Sequence, residues 1–199
     1  KLTLINRIEN LAVIGVSDWV TDLARQSPVF SNAKIINRIY NWIDVDVFKQ
    51  KDVENLKNKL DLQDEFIILG VASIWDESKG LNSFIKLAEQ QMKKSKVILV
   101  GSIPDNVRLP KNIISVGLTH SVEELVDYYN LADVFVTFSN EETFGKVSAE
   151  ALSCGTPVIC YDSTANKEIV GDGCGYVIEK DDFNGVLECI NKVYETGKK

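Results

Sequence analysis

Apolar runs of strand length alternate along the chain with stretches whose apolar residues recur at near-helical spacing. The strand-like runs fall at 11–16, 34–40, 66–72, 96–101, 112–116, 133–138 and 157–161, and the helix-like stretches at 17–26, 53–60, 81–94, 122–131, 145–154 and 182–196. Strand followed by helix, repeated, predicts an α/β protein built on a doubly wound parallel sheet. Ligands of such sheets bind outside the carboxyl ends of the strands, so the loops after Ala72, Gly101, Val116, Phe138 and Tyr161 are where chemistry is expected. Ser121 with Glu124 three residues on is a capping box that starts one of the helices. Residues 41–50 carry no clear period and read as a linker. The basic bunch Lys93, Lys94 and Lys96 reads as a solvated helix end favoured by the helix dipole.

Composition narrows the function. With 199 residues and 45% apolar composition the chain can bury a core, and 22 basic against 29 acidic residues leave a net charge of −7. That balance argues against nucleic acid as a partner and against attraction to anionic lipid. No apolar run approaches the roughly 20 residues of a membrane span. The four cysteines, Cys154, Cys160, Cys174 and Cys189, form no CxxC pair and have one histidine, His120, to help them, so they read as buried thiols in a reducing cytoplasm and not as metal ligands. The first residue is Lys1, and no basic segment followed by an apolar one precedes the first strand, so the sequence is expected to be a piece of a longer chain without a leader.

The densest chemistry lies in Glu142-Thr143-Phe144-Gly145-Lys146-Val147-Ser148-Ala149-Glu150, between two strand-like runs. A helix beginning near Phe144 or Gly145 would present unpaired amides and its positive dipole end to the carboxyl edge of the sheet, which suits a phosphate. Glu142 would stand in the loop above. Glu150 would lie one to two turns into the helix, placed for ligand hydroxyls and away from a diphosphate that would repel it.

Two glutamates separated by seven residues, with Phe-Gly inside and Glu-Ala-Leu-Ser-Cys-Gly-Thr-Pro-Val-Ile after, resemble glycosyltransferase family 4. The segments Ile14-Gly15-Val16-Ser17-Asp18-Trp19, Asn41-Trp42-Ile43-Asp44, Gly70-Val71-Ala72, Ser78-Lys79-Gly80, Leu99-Val100-Gly101 and Ala132-Asp133-Val134-Phe135 follow in the family's order, so the resemblance covers nearly the whole chain. It implies one Rossmann-like half of a two-domain GT-B glycosyltransferase: residues 1–48 as the end of the acceptor domain plus linker, and 49–199 as the donor-binding domain, with the last crossover helix absent. It also implies a retaining transferase of sugars from nucleotide-diphosphate donors to glycan or lipid-linked acceptors in surface-polysaccharide or glycolipid biosynthesis. The location it implies is cytoplasmic, or peripheral at the inner face of the membrane, with acceptor and membrane contact through the other domain.

Residue by residue, the resemblance gives Glu142 the transferred sugar, Lys79 the diphosphate and Glu150 the ribose hydroxyls. The backbone amides of Phe144, Gly145 and Lys146 complete the cradle, and Leu118 and Thr119 sit beside His120 in the loop that meets the base. Ser73 stands where many members place an arginine, which removes a cation from the leaving group; Lys146 is the candidate substitute. No cofactor beyond the donor substrate is expected, and no metal, since Asp44-Val45-Asp46 matches a metal motif only briefly and lies in the linker. Gly171, Gly173 and Gly175 lie around Cys174, but Gly171-Asp172-Gly173 has no following lysine and reads as a turn rather than a phosphate loop. A donor half alone lacks the proximity that orients two substrates, worth about 7–11 kcal/mol of barrier, so little transfer is expected from it. An epimerase or phosphorylase of the same fold, or a non-catalytic nucleotide-sugar-binding or interaction module suggested by Ser73, are the alternatives the residues leave open.

Overall fold

The computed structural model describes residues 2–5, 7–90 and 94–197. Lys1, Lys93, Lys199 and positions 91–93 of the predicted helix 81–94 lie outside them. A small parallel pair comes first, β1 (Ala12–Gly15) beside β2 (Ile35–Arg38), joined by helix α2 (Asp18–Gln26) after a short α1 (Leu2–Ile5). Residues 41–50 then run without helix or strand, as their missing period predicted, to α3 (Glu54–Lys59).

The main body is one parallel six-stranded sheet in the order β5-β4-β3-β6-β7-β8. Its strands are β3 (Phe66–Ile74), β4 (Ser95–Ser102), β5 (Ile113–Gly117), β6 (Val134–Thr137), β7 (Val158–Tyr161) and β8 (Gly175–Ile178). Counted from β3 along the chain, this is the 3-2-1-4-5-6 arrangement of the doubly wound dinucleotide fold, whose direction reverses between its first and fourth strands. The central strands are near-continuous apolar runs because both faces are covered. On one face α4 (Leu81–Glu89) and α8 (Phe183–Thr196) pack through Phe84, Leu87, Val186 and Ile190 against Ile68, Leu99 and Val136. On the other, α5 (Val122–Leu131) and α6 (Lys146–Ser153) pack through Val126, Tyr129 and Ala151 against Ile67, Leu69, Ile98 and Phe135. Burying a leucine- or phenylalanine-sized side chain contributes about 1.5–3 kcal/mol, so these two clusters are the main source of the sheet's stability. The longest helix, α8, has 14 residues, and no described helix is long and apolar enough to cross a membrane.

Several expectations are corrected. Gly171 to Gly173 make the expected turn, closed by the Cys174 amide on the Gly171 carbonyl, and Gly175 then opens β8, a strand that was not predicted and pairs with β7 from Val158↔Gly175 onward. A short helix, α7 (Asn166–Ile169), lies between β7 and β8 where none was predicted. Strand β3 continues past Ala72 to Ile74, which pairs with Ser102 after an irregularity, so Ser73 sits exposed on the end of a strand rather than in a loop. Three cysteine thiols are buried and Cys174 is exposed. Desolvation pushes the Cys160 thiol up to about 12, so it stays protonated.

Candidate functional site

Strands β3 and β6 are neighbours in the sheet, yet the chain leaves their carboxyl ends in opposite directions, to α4 and to α6, which opens a crevice there. Lys79 enters it on the turn before α4. Asp76 shapes that turn: its Oδ1 accepts from the Ser78 hydroxyl at 2.6 Å and from the Lys79 amide at 3.1 Å. Those two bonds hold the Asp76 carboxyl below its usual range. Glu142 enters from the loop after β6, and Lys79 Nζ donates to its Oε1 at 2.6 Å, with the two side chains 34% and 19% exposed. The Asn140 amide also donates to the Ser78 carbonyl at 3.1 Å, which stitches the two loops together. A lysine and a glutamate 63 residues apart in sequence therefore meet at the point where the sheet reverses.

Both helices that start at the crevice do so from a left-handed glycine without a side-chain cap, Gly80 at φ 76° before α4 and Gly145 at φ 88° before α6. The other helices of more than eight residues are capped by side chains, α2 by Ser17, α5 by Ser121 and α8 by Asp182. An L-residue in this backbone region costs about 1–2 kcal/mol, which accounts for glycine at both positions. At Gly80 a Cβ would also stand 2.2 Å from that of Phe138. At Gly145 the nearest atom would be 3.5 Å away, so the backbone conformation alone selects glycine there. Two helix N-termini with their dipole ends beside one ammonium group suit an anion of more than one charge.

Glu150 lies one turn further into α6 and is 5% exposed. Its Oε2 accepts from the Tyr129 hydroxyl at 2.9 Å, and Lys146 Nζ stands 3.7 Å from its Oε1. Burial raises the Glu150 carboxyl above its ordinary value, while the Tyr129 hydrogen bond and the Lys146 charge pull it partly back. Burial, and then the nearby carboxylate, push the Tyr129 phenol well above its own ordinary value, so it remains a donor. The Lys146 ammonium thus leans on Glu150 rather than joining Lys79 at Glu142. Beside it opens a cavity of about 550 Å³ between Asn41, Trp42, Val47 and Phe48 of the segment without helix or strand and the helix starts at Val122 and Lys146. Its size suits a small organic ligand.

The structure therefore brings Lys79, Glu142, Phe144, Gly145, Lys146 and Glu150 to one crevice. Leu118 and Thr119 follow β5, two strands away from β3 on the same carboxyl edge, with Leu118 exposed. His120 is exposed, and its amide donates to Glu124 Oε2 at 2.7 Å, so the capping box closes on His120 as well as through the Ser121 hydroxyl. Asp44 Oδ1 accepts the Asp46 amide at 3.1 Å and serves a turn. Sequence reasoning missed Tyr129, which holds Glu150, and Tyr40, whose ring packs 5.9 Å from that of Phe144. It also missed Thr164, which binds the Glu142 backbone, and Glu168, whose carboxylate accepts the Asp18 and Trp19 amides at the start of α2. None of these four carries a local motif.

Residues 52–199 match the family described as glycosyl transferases group 1. Among curated relatives, the N-acetyl-alpha-D-glucosaminyl L-malate synthase of Bacillus anthracis is 26% identical over 78% of this chain and 43% of its own length. The capsular polysaccharide biosynthesis glycosyltransferase CapM of Staphylococcus aureus is 31% identical over 77% of this chain and 43% of its own. The chain thus spans less than half the length of these relatives. The crystal structure of Anabaena HepE in complex with UDP superposes with a TM-score of 0.82 at 23% identity, over 98% of this chain and 56% of that one. The fold is accordingly Rossmann-like, as in one half of a GT-B glycosyltransferase. With the family match covering the whole six-stranded sheet and its crevice, this chain belongs to the glycosyl transferases of group 1.

Proposed function

We propose that the chain is the donor-binding half of a retaining glycosyltransferase, which moves a sugar from a nucleotide-diphosphate donor to a glycan or lipid-linked acceptor in surface-polysaccharide or glycolipid synthesis. One observation carries this reading. The Lys79–Glu142 pair stands at the reversal of the sheet, between two helices that begin on uncapped glycines. The diphosphate lies across those helix ends with Lys79 as its counter-ion, and the ribose hydroxyls meet Glu150. The base extends toward Leu118 and Thr119, about 10 Å away by the spacing of two strands. Glu142 then holds a hydroxyl of the transferred sugar.

As the glycosidic bond breaks, charge builds on the departing diphosphate. Fixed dipoles and an ammonium already aimed at it lower the barrier without rearrangement. In this reading they do so in place of the arginine that Ser73 replaces, and without a metal. The relative named for capsular polysaccharide biosynthesis supports the glycan acceptor class. The acceptor and any contact at the inner face of the membrane belong to the other domain of the full protein, at 1–48 and beyond, while 49–199 form the donor domain.

The similar structure holding UDP makes uridine diphosphate the first nucleotide to titrate calorimetrically, followed by other nucleoside diphosphates and their sugars. A charge-assisted hydrogen bond is worth about 1.5–3 kcal/mol, so Lys79→Ala and Glu150→Ala should each weaken binding by roughly ten- to a hundredfold. Binding that ignores both substitutions sinks the reading and favours an interaction module.

A further inference from the structure

Glu142 is held from two sides. On one is the Lys79 ion pair, and on the other the turn between β7 and α7. There the Thr164 hydroxyl accepts from the Glu142 amide at 2.8 Å and donates to the Glu142 carbonyl at 2.9 Å, and the Ala165 amide adds a bond to the same carbonyl at 3.3 Å. A hydroxyl has one proton and two lone pairs, so a single side chain closes both polar groups of the Glu142 backbone. The stem of the loop is tied separately, with the Ser163 hydroxyl donating to the Ser139 carbonyl at 3.2 Å and the Asn166 side-chain amide to the Ser163 hydroxyl at 3.1 Å.

Thr164 holds this place in a backbone conformation that works against it. Its φ is 50°, in the left-handed region that a β-branched residue rarely adopts. Glycine would relax the turn but would lack the hydroxyl. Strain of this kind persists where the surroundings enforce it, and it gathers at functional sites.

We propose that Thr164 is a positioning residue that fixes the Glu142 carboxylate for the donor sugar. The proposal rests on the reading that Glu142 contacts that sugar. When a diphosphate draws Lys79 away, the ion pair no longer fixes Glu142, and the Thr164 clamp, which involves no group that meets phosphate, remains. Thr164 therefore sets how well the transferred sugar is recognised and leaves the nucleotide itself alone.

The test compares Thr164→Val, Thr164→Ser and Thr164→Gly with the unchanged chain, titrated with uridine diphosphate and other nucleoside diphosphates and with their sugars. The quantity read is the ratio of sugar-nucleotide to nucleotide affinity, with Glu142→Gln as the reference change. Thr164→Val should lower that ratio at least about fivefold with nucleotide affinity held within about twofold, and Thr164→Ser should restore it. Thr164→Gly should melt above Thr164→Val, because it relieves the strain, yet lose the ratio equally; a purely structural role predicts that the ratio follows melting temperature. Hydrogen exchange at the Glu142 amide reads the clamp without ligand and should quicken in Thr164→Val and Thr164→Gly but not in Thr164→Ser. A ratio that Glu142→Gln moves and Thr164→Val does not would overturn the role of Thr164 alone. A ratio indifferent to Glu142→Gln, or no nucleotide binding by the unchanged chain, would overturn the reading of the site and this role with it.

Discussion

Replacing Glu142 by glutamine separates two effects that meet on one carboxylate, the Lys79 ion pair and the proposed contact with the transferred sugar. Without ligand, Glu142 neutralises Lys79 across 2.6 Å, with both side chains partly open to solvent. A pair so exposed is worth about 0.2–1 kcal/mol after screening, and a diphosphate must displace it to reach the ammonium. Glutamine removes the competitor, so affinity for a bare nucleoside diphosphate should stay level or rise by about 1.4- to 5-fold. The sugar-bearing donor behaves otherwise: glutamine still accepts a sugar hydroxyl but as a neutral group, at about 1 kcal/mol in place of about 1.5–3 kcal/mol, so the sugar's contribution should fall by roughly two- to thirtyfold. Calorimetric titration of one variant with both ligands should thus show a lower ratio of sugar-nucleotide to nucleotide affinity, with nucleotide affinity itself level or higher. Equal weakening of both would refute the division of labour between Lys79 and Glu142.

Two further predictions concern carboxylates that sequence reading underspecified. Because burial raises the Glu150 carboxyl, the folded state keeps a proton that the unfolded chain has released; stability from this group is full below the ordinary value of 4.5 and is lost as pH rises through the raised folded value. Glu150→Gln should abolish that loss in melting curves taken from pH 4 upward, and a pH profile parallel to that of the unchanged chain would refute it. Glu168 takes the first amides of α2 at 2.7 and 2.9 Å, a cap supplied from a distant part of the chain, so Glu168→Ala should quicken hydrogen exchange at Asp18 and Trp19. The loss of about 1–2 kcal/mol expected for a charged cap corresponds to roughly five- to thirtyfold, and unchanged exchange would show that the contact does not hold the helix.

What could be read from the sequence follows from how each element earns its place. Strands β4, β6 and β7 announced themselves because burial on both faces demands unbroken apolar runs. The edge strand β8 did not: it has four partly exposed residues, opens on a glycine and follows a turn, so neither run nor alternation identifies it. Helix α7 spans four residues and has no side-chain cap, too short for periodicity to register. In the site, the placement of Glu142 and Glu150 was legible from their spacing around a glycine that starts a helix, whereas Lys79 was singled out through the family resemblance alone. The partners of the two glutamates were not, since Tyr129 reaches Glu150 across 21 residues and Thr164 reaches Glu142 across 22, contacts that exist only once α5 packs beside α6 and β6 beside β7. Ser73 marks where many members of the resembled family place an arginine, but only the fold shows that two uncapped helix ends face the same crevice.

The central claim is that a nucleotide diphosphate lies at the β3/β6 crevice, and amide chemical-shift mapping of the chain during titration with uridine diphosphate tests it most directly. The account predicts that the largest shifts cluster at Lys79, Gly80, Gly145 and Lys146, with a second group around Glu150 and Leu118, and that Lys79→Ala suppresses both. Shifts centred elsewhere, such as the groove beside Val13 and Phe30, or a folded chain whose spectrum does not move at saturating nucleotide, would contradict it.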